Sequence, residues 1–169
     1  MGLFSKDIAS MDDLFNHMQD IYYAERKIVR SLPSMIEKAS DTGLRSGLGD
    51  HLDQTREHIA RLEQVFDMID MKAKAVDCPA IDGIIKEADD LVGEIEPNSV
   101  LDAAIIAAAQ AVEHYEITRY GTIIAWANQL GRDDVAAVLK QTLREESAAD
   151  EKLTQLAEAH VNADAAAAA

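Results

Sequence analysis

The sequence predicts an all-α protein, a four-helix bundle made of two antiparallel hairpins joined by a crossover that contains a short fifth helix. Three observations lead there. The 169 residues hold only 8 Gly and 3 Pro, aromatics make up 5%, and helix formers abound, so the vocabulary for turns and strands is small. Apolar residues recur at spacings of three, four and seven, which traces one face of a helix. Turn signals then cut this pattern into two long pairs, with one aperiodic stretch between them.

Taken in order, Leu14, Met18, Ile21, Ile28, Leu32 and Met35 mark a first helix from Met11 to about Ser40, with Pro33 as a place where it can bend. Asp41-Thr42-Gly43 is a turn, and Leu48, Leu52, Thr55, Ile59, Leu62, Phe66 and Ile69 form the stripe of a second helix. Periodicity is lost from Met71 to Pro79. It returns in a short amphipathic helix carrying Ile81, Ile84, Ile85, Ala88, Leu91 and Ile95. Pro97-Asn98-Ser99 offers an N-cap for a fourth helix lined by Leu101, Ile105, Ala108, Val112, Ile123 and Leu130, which ends near Gly131. A last helix turns Val135, Leu139, Leu143, Leu153 and Ala157 inward. The alanine tail has little to bury. The reading is therefore a single domain over residues 1–169, with about 1–10 and 161–169 as flexible termini. Its connectivity is that of a ferritin-like bundle.

Charge narrows the function classes. Asp and Glu number 31 against 16 Lys and Arg, a formal charge of −15, which disfavours nucleic acid and anionic membrane surfaces as partners. The most apolar stretch, Val100 to Val112, is interrupted by Asp102 and Gln110 and is too short to span a bilayer. The first residues carry neither a basic nor a long apolar segment, and Cys78 is the single cysteine, so a soluble, cytoplasmic protein is expected. Cys78 itself reads as a small buried hydrophobe, and Tyr22, Tyr23, Tyr115 and Tyr120 as core or interface residues.

The informative residues are the charged ones that share apolar faces, because a buried carboxylate without a partner is costly. Glu25 lies near the centre of the first stripe, and Asp20 points elsewhere. On the second helix Thr55 is central, His58 is at the stripe's edge with Gln54 and His51 beside it, and Glu57 points outward. Glu116 is nearly central on the fourth helix, with Glu113 one turn earlier. Glu146 and Asp150 share the line of Leu139, Leu143 and Leu153, while Glu145 faces solvent.

Heights agree as well, since antiparallel partners at one level are equidistant from their turn. Glu25 and His58 have their midpoint near 41.5, within the first turn, and Glu113 and Glu146 near 129.5, beside Gly131. Both pairs are 33 residues apart, from 25 to 58 and from 113 to 146. Carboxylates and an imidazole from facing helices at mid-bundle suit two ions of iron or manganese, and such a cluster of like charges needs cations to stay ionised in a dry core. Arg119, one turn after Glu116, keeps a second reading open, in which an arginine neutralises part of the cluster without metal. His51 and His160 are not expected to be ligands.

Four segments carry a family resemblance. They are Asp20-Ile21-Tyr22-Tyr23-Ala24-Glu25; His51-Leu52-Asp53-Gln54-Thr55 with Arg61-Leu62-Glu63; Ala108 to Ile117, which holds Glu113-His114-Tyr115-Glu116; and Thr142-Leu143-Arg144-Glu145-Glu146 with Asp150 and Leu153. From about Met11 to Ala159 the chain resembles the YciE/YciF family of ferritin-like bacterial stress proteins. The resemblance implies a rubrerythrin-like homodimer with a dinuclear site and a role under osmotic, oxidative or general stress. It defines no reaction. Glu113 and Glu116 are similar to the Glu-x-x-Glu of rubrerythrins. Ferritin-like proteins generally carry Glu-x-x-His on the second and last helices; here Gln54 precedes His58 by four, and Glu146 precedes Asp150 by four. A neutral amide binds iron more weakly than a carboxylate, so one metal position is expected to be weak or empty.

Two functions follow as expectations. In the first, Glu25, Gln54, His58, Glu113, Glu116, Glu146 and Asp150 hold or orient two metal ions, and the protein reacts with peroxide or oxygen or binds iron during stress, with reduction supplied by a separate electron donor. In the second, the protein is a non-catalytic dimeric structural or binding protein with a degenerate site.

Overall fold

The computed structural model describes residues 10–16, 19–96 and 99–168. Met18, the Pro97-Asn98 lead-in and the side chain of Leu14 lie outside that description, as do residues 1–9 and 169. The architecture is all-α, as the composition and periodicity predict, and the described residues contain no strand.

One helix was expected from Met11 to about Ser40, and two are observed: α1, Met11–Asn16, and α2, Asp20–Lys38. Ser10 and Asp13 cap α1 reciprocally, the Ser10 amide donating to Asp13 and the Asp13 amide to Ser10 Oγ, each at 3.1 Å. Asp20 opens α2 in the turn where the helix dipole favours an anion. Helix α2 buries Ile21, Tyr22, Ala24, Glu25, Ile28, Leu32 and Met35 and leaves Pro33 on its exposed side. Asp41 caps α3, Thr42–Met68, by accepting from the Leu44 amide at 2.7 Å. The same turn is tied to the start of the second hairpin, because the buried Asp102 carboxylate accepts from the Ser40 and Asp41 amides at 2.8 and 3.0 Å.

The crossover helix α4, Pro79–Glu94, starts with proline in its first turn and buries Ile81, Ile85, Ala88 and Val92. Asp82 pins it to α2, taking hydrogen bonds from Tyr23 Oη at 2.9 Å and Lys27 Nζ at 2.7 Å. Helix α5, Ser99–Gln129, packs on α6, Asp133–Leu156, and also meets α4 and α2, so its buried residues wrap around more than one face. Gly131, at φ 71°, closes α5, with the Arg132 amide donating to the Ala127 carbonyl at 2.8 Å and the Gly131 amide to Asn128 at 3.1 Å. The chain then continues past α6 through a π-helical turn, Ala157–Val161, into α7, Asn162–Ala167, which packs on α5. Val161 is buried, and His160 pairs with Asp41 at 2.9 Å. The heaviest packing is α5 with α6 and α2 with α3, followed by α3 with α6, which sets two hairpins face to face around a polar middle.

Candidate metal centre

Four helices deliver polar side chains to that middle. Glu25 comes from α2, His51 and His58 from α3, Glu113 and Glu116 from α5, and Glu146 from α6; all are buried. They form two groups, His51–Glu113–Glu116–Glu146 and Glu25–His58–Glu146, and within each the ligand-type atoms lie within 4.8 Å of one another. Glu146 belongs to both.

His58 Nδ1 stands 2.9 Å from Glu146 Oε1 and 3.6 Å from Glu25 Oε1. Its Nε2 lies 2.9 Å from Glu145 Oε2, and Glu145 is held in turn by Arg61 Nη2 at 3.1 Å and Gln141 Nε2 at 3.0 Å. With Nε2 turned to Glu145, Nδ1 is the ring nitrogen that faces the cluster, the way an outer carboxylate orients a coordinating imidazole. His51 Nε2 lies 3.2 Å from Glu113 Oε1, and its Nδ1 lies 3.9 Å from Glu146 Oε2. Tyr120 Oη donates to Glu25 Oε1.

These approaches are close, but most lack hydrogen-bond alignment. Glu25 Oε2, both ring nitrogens of His51, His58 Nδ1, Glu113 Oε2 and both oxygens of Glu116 and of Glu146 are buried with no hydrogen-bond partner among the described residues. Burial pushes the carboxyls of Glu25, Glu113 and Glu116 upward, and neighbouring carboxylates push the latter two further. Burial lowers His51. It also opposes charge on His58, yet Glu146 and Glu25 outweigh it and raise that imidazole to about 10. Glu145 is driven to about 2, since Arg61, Gln141 and His58 overcome its partial burial. Orphaned hard oxygens and imidazole nitrogens converging from four helices are a donor set that fits a cation, and these residues could hold a metal ion.

Of the residues singled out in the sequence, Glu25, His58, Glu113, Glu116 and Glu146 are brought together, whereas Asp150 stands apart from both groups. Asp150 instead accepts from Gln110 Nε2 at 3.0 Å and lies 3.4 Å from His114 Nε2. Gln54 is half-buried and lines a cleft beside His51 and Glu113. Arg119 takes no part in the cluster, for its guanidinium pairs with Asp20 at 3.2 Å and stacks over Tyr115. Two expectations need correction. Glu145 does not face solvent but reaches back to His58 and Arg61. His51 is not peripheral, because the stripe of α3 runs Leu44, Leu48, His51, Thr55, His58, Leu62 and Val65, one residue off the expected line. The strict alternation of three and four between these positions, with two histidines seven apart, is the signal that could have found it. Cys78 is buried, as expected, with Sγ 3.0 Å from Tyr115 Oη.

Fold and centre together define a class: an all-α bundle whose middle is a buried histidine and carboxylate cluster able to accept a metal ion. The chain belongs to the family described as a domain of unknown function, DUF892, which matches residues 10–166. Protein YciF of Escherichia coli strain K12 is 42% identical over 158 residues, covering 92% of this chain and 95% of that protein. Among solved structures, the Escherichia coli stress protein YciF matches with a TM-score of 0.87 at 42% identity, over 92% of this chain and 99% of the other. The Rhodopseudomonas palustris protein YcfI, described provisionally as structural, matches with a TM-score of 0.87 at 56% identity, over 89% and 97%. The family expected from the sequence motifs is thus the one found. No described helix is long and apolar enough to cross a membrane.

Proposed function

We propose that this protein is a di-metal carboxylate protein of the bacterial stress response, cytoplasmic and homodimeric, which binds two iron or manganese ions and reacts with peroxide or oxygen or sequesters iron. The observation that carries this reading is the pair of buried groups sharing Glu146, whose oxygens and nitrogens lack partners in the described residues. One ion would be held by His51, Glu113, Glu116 and Glu146, the other by Glu25, His58 and Glu146. Bound iron or manganese would supply redox chemistry, while the chain itself orients His58 through Glu145 and Arg61 and fixes Glu25 through Tyr120. Asp150, which lies outside both groups, and Gln54, which lines the cleft beside His51 and Glu113, are second-choice ligands, and a peroxidase cycle would draw electrons from a separate donor.

The deciding experiment is metal analysis of protein purified without an affinity tag and then loaded anaerobically with Fe(II). About two ions per chain, lost in Glu146→Ala, is the expected result. A stoichiometry near zero after loading overturns the reading. A second reading has its own support. His58, raised to about 10, is a cation between Glu25 and Glu146, so a proton already neutralises part of the cluster, and the Rhodopseudomonas palustris relative is described provisionally as structural. In that case the protein is a non-catalytic structural or binding dimer, and metal loading leaves its melting temperature unchanged.

A further inference from the structure

Exposure is not uniform among the six clustered side chains. Glu25, His58, Glu116 and Glu146 are wholly enclosed, whereas His51 and Glu113 keep 6% and 2% of their surface. Both line a cleft of about 140 Å³ between α3 and α6, and both carry buried polar atoms with no hydrogen-bond partner among the described residues. The cleft's walls combine the small residues Gly47, Ala148 and Ala149 with Leu48, Leu153 and Leu156. Its mouth is spanned by Lys152, which pairs with Asp50 at 3.0 Å. A Cβ on Gly47 would lie 3.4 Å from Lys152 Cε, so the lysine stem lies directly over the glycine.

Polar groups continue inward from that mouth. Side-chain exposure of the lining carboxylates falls from 65% at Asp50 to 23% at Glu145 and 3% at Glu113. The Gln54 amide lines the same cleft. A divalent cation sheds its hydration shell reluctantly, so oxygens in series can replace its waters one at a time, and a chain of charge −15 draws cations to its surface. A second cavity touches His51 and Glu113 from the side of α2, α4 and α5, but it measures about 20 Å³ and its other walls include Ile28, Leu32, Met35 and Ile85. That space suits one water or an apolar molecule rather than a hydrated ion.

We propose that the α3–α6 cleft is the access path by which a hydrated divalent cation reaches the buried centre, with Lys152 closing its mouth. The cation's destination rests on the function proposed above; the path itself can be tested without metal.

The test uses the full chain and two readouts. Diethyl pyrocarbonate modification of each histidine in metal-free protein is followed by peptide mass spectrometry, with exposed His114 and enclosed His58 as internal references. Co(II) uptake is followed by stopped-flow absorbance, and bound Co(II) is measured at equilibrium. Ala149→Phe fills the cleft and is expected to slow both His51 modification and Co(II) uptake by roughly tenfold. Equilibrium binding should be retained, and Ala137→Phe, on an exposed part of α6, should change neither rate. Lys152→Ala opens the mouth and should speed both. A folded Ala149→Phe protein whose His51 reacts at the wild-type rate overturns the proposal. If Ala149→Phe does not fold, Lys152→Ala decides: acceleration supports the path and an unchanged His51 rate overturns it. Should wild type bind no Co(II) at equilibrium, the metal function falls, while His51 modification still decides whether the cleft leads inward.

Discussion

Replacing Glu116 with leucine is expected to stabilise the metal-free protein. Glu116 has no exposed surface, and neither of its carboxylate oxygens has a hydrogen-bond partner among the described residues. Glu146, Glu25 and Glu113 surround it with like charge. One unsatisfied buried acceptor costs about 1–3 kcal/mol, and exchanging buried ionic groups for apolar ones of similar volume is neutral or favourable by about 1–4 kcal/mol. A gain of about 1–3 kcal/mol is therefore expected, a rise of roughly 2–12 °C in melting temperature for a chain of this size. The pH dependence carries the same signature. Burial holds the Glu116 carboxyl well above its ordinary value of 4.5, so the folded state binds that proton more tightly than the unfolded chain. Its contribution is fully present below 4.5 and is lost as pH rises through the raised folded value. Wild type should thus lose more stability than Glu116→Leu between pH 5 and 8. Calorimetry on chelator-treated protein at both pH values, repeated with Mn(II), is the assay. Added metal should invert the ranking, because wild type gains binding free energy that the variant has forfeited. A Glu116→Leu protein that melts lower than wild type without metal, at both pH values, would refute the argument from orphaned oxygens.

Other consequences are open to measurement. Glu146→Ala removes the carboxylate common to both groups and should abolish metal-dependent stabilisation entirely, whereas Asp150→Ala should retain it, as read by melting temperature with and without Fe(II) under anaerobic conditions. The His160 imidazole is raised by the hydrogen bond it donates to Asp41, so its stabilising contribution is complete below 6.5 and disappears as pH climbs through the raised value; His160→Gln should flatten stability across that window in urea titrations. Asp41→Ala strips the cap from α3 and is expected to cost about 1 kcal/mol by denaturant unfolding. Gly131→Ala forces a side chain into left-handed backbone at φ 71° and should destabilise by about 1 kcal/mol.

The fold was legible because its helices obey simple periodicity, and the turn at Asp41 and the glycine at 131 fall where chain reversal needs them. Most of the cluster was legible for a related reason: Glu25, Glu116 and Glu146 sit on buried stripes, and equal distances from the turns pair Glu25 with His58 and Glu113 with Glu146. The errors share one physical origin. A stripe on an ideal helix is fixed in angle only to about one residue, so drawing that of α3 through Leu52 and Ile59 moved His51 off the seam and brought Gln54 nearer to it. Glu145 was misplaced because backbone angle says where a side chain starts, not how far a long one reaches toward Arg61 and His58. Arg119 was a fair rival for the cluster on angle alone; Asp20, 99 positions earlier in the chain, decided its place. Gln19, the turn residue before α2, is neither glycine nor proline and so gave no mark of where that helix starts.

Neither hairpin owns the centre. The first, α2 with α3, carries Glu25, His51 and His58; the second, α5 with α6, carries Glu113, Glu116 and Glu146; and each candidate group draws on both. Each hairpin can therefore form from contacts local in sequence while its polar side chains remain in water. Glu113, Glu116 and Glu146 already repel one another within the second hairpin, and docking of the two halves adds Glu25 and removes water from all four. That repulsion opposes closure of the two halves, and a cation held at the seam would offset it. If the centre takes metal as proposed, refolding followed by stopped-flow fluorescence should be faster in Mn(II) than in chelator, and equal rates would count against that link.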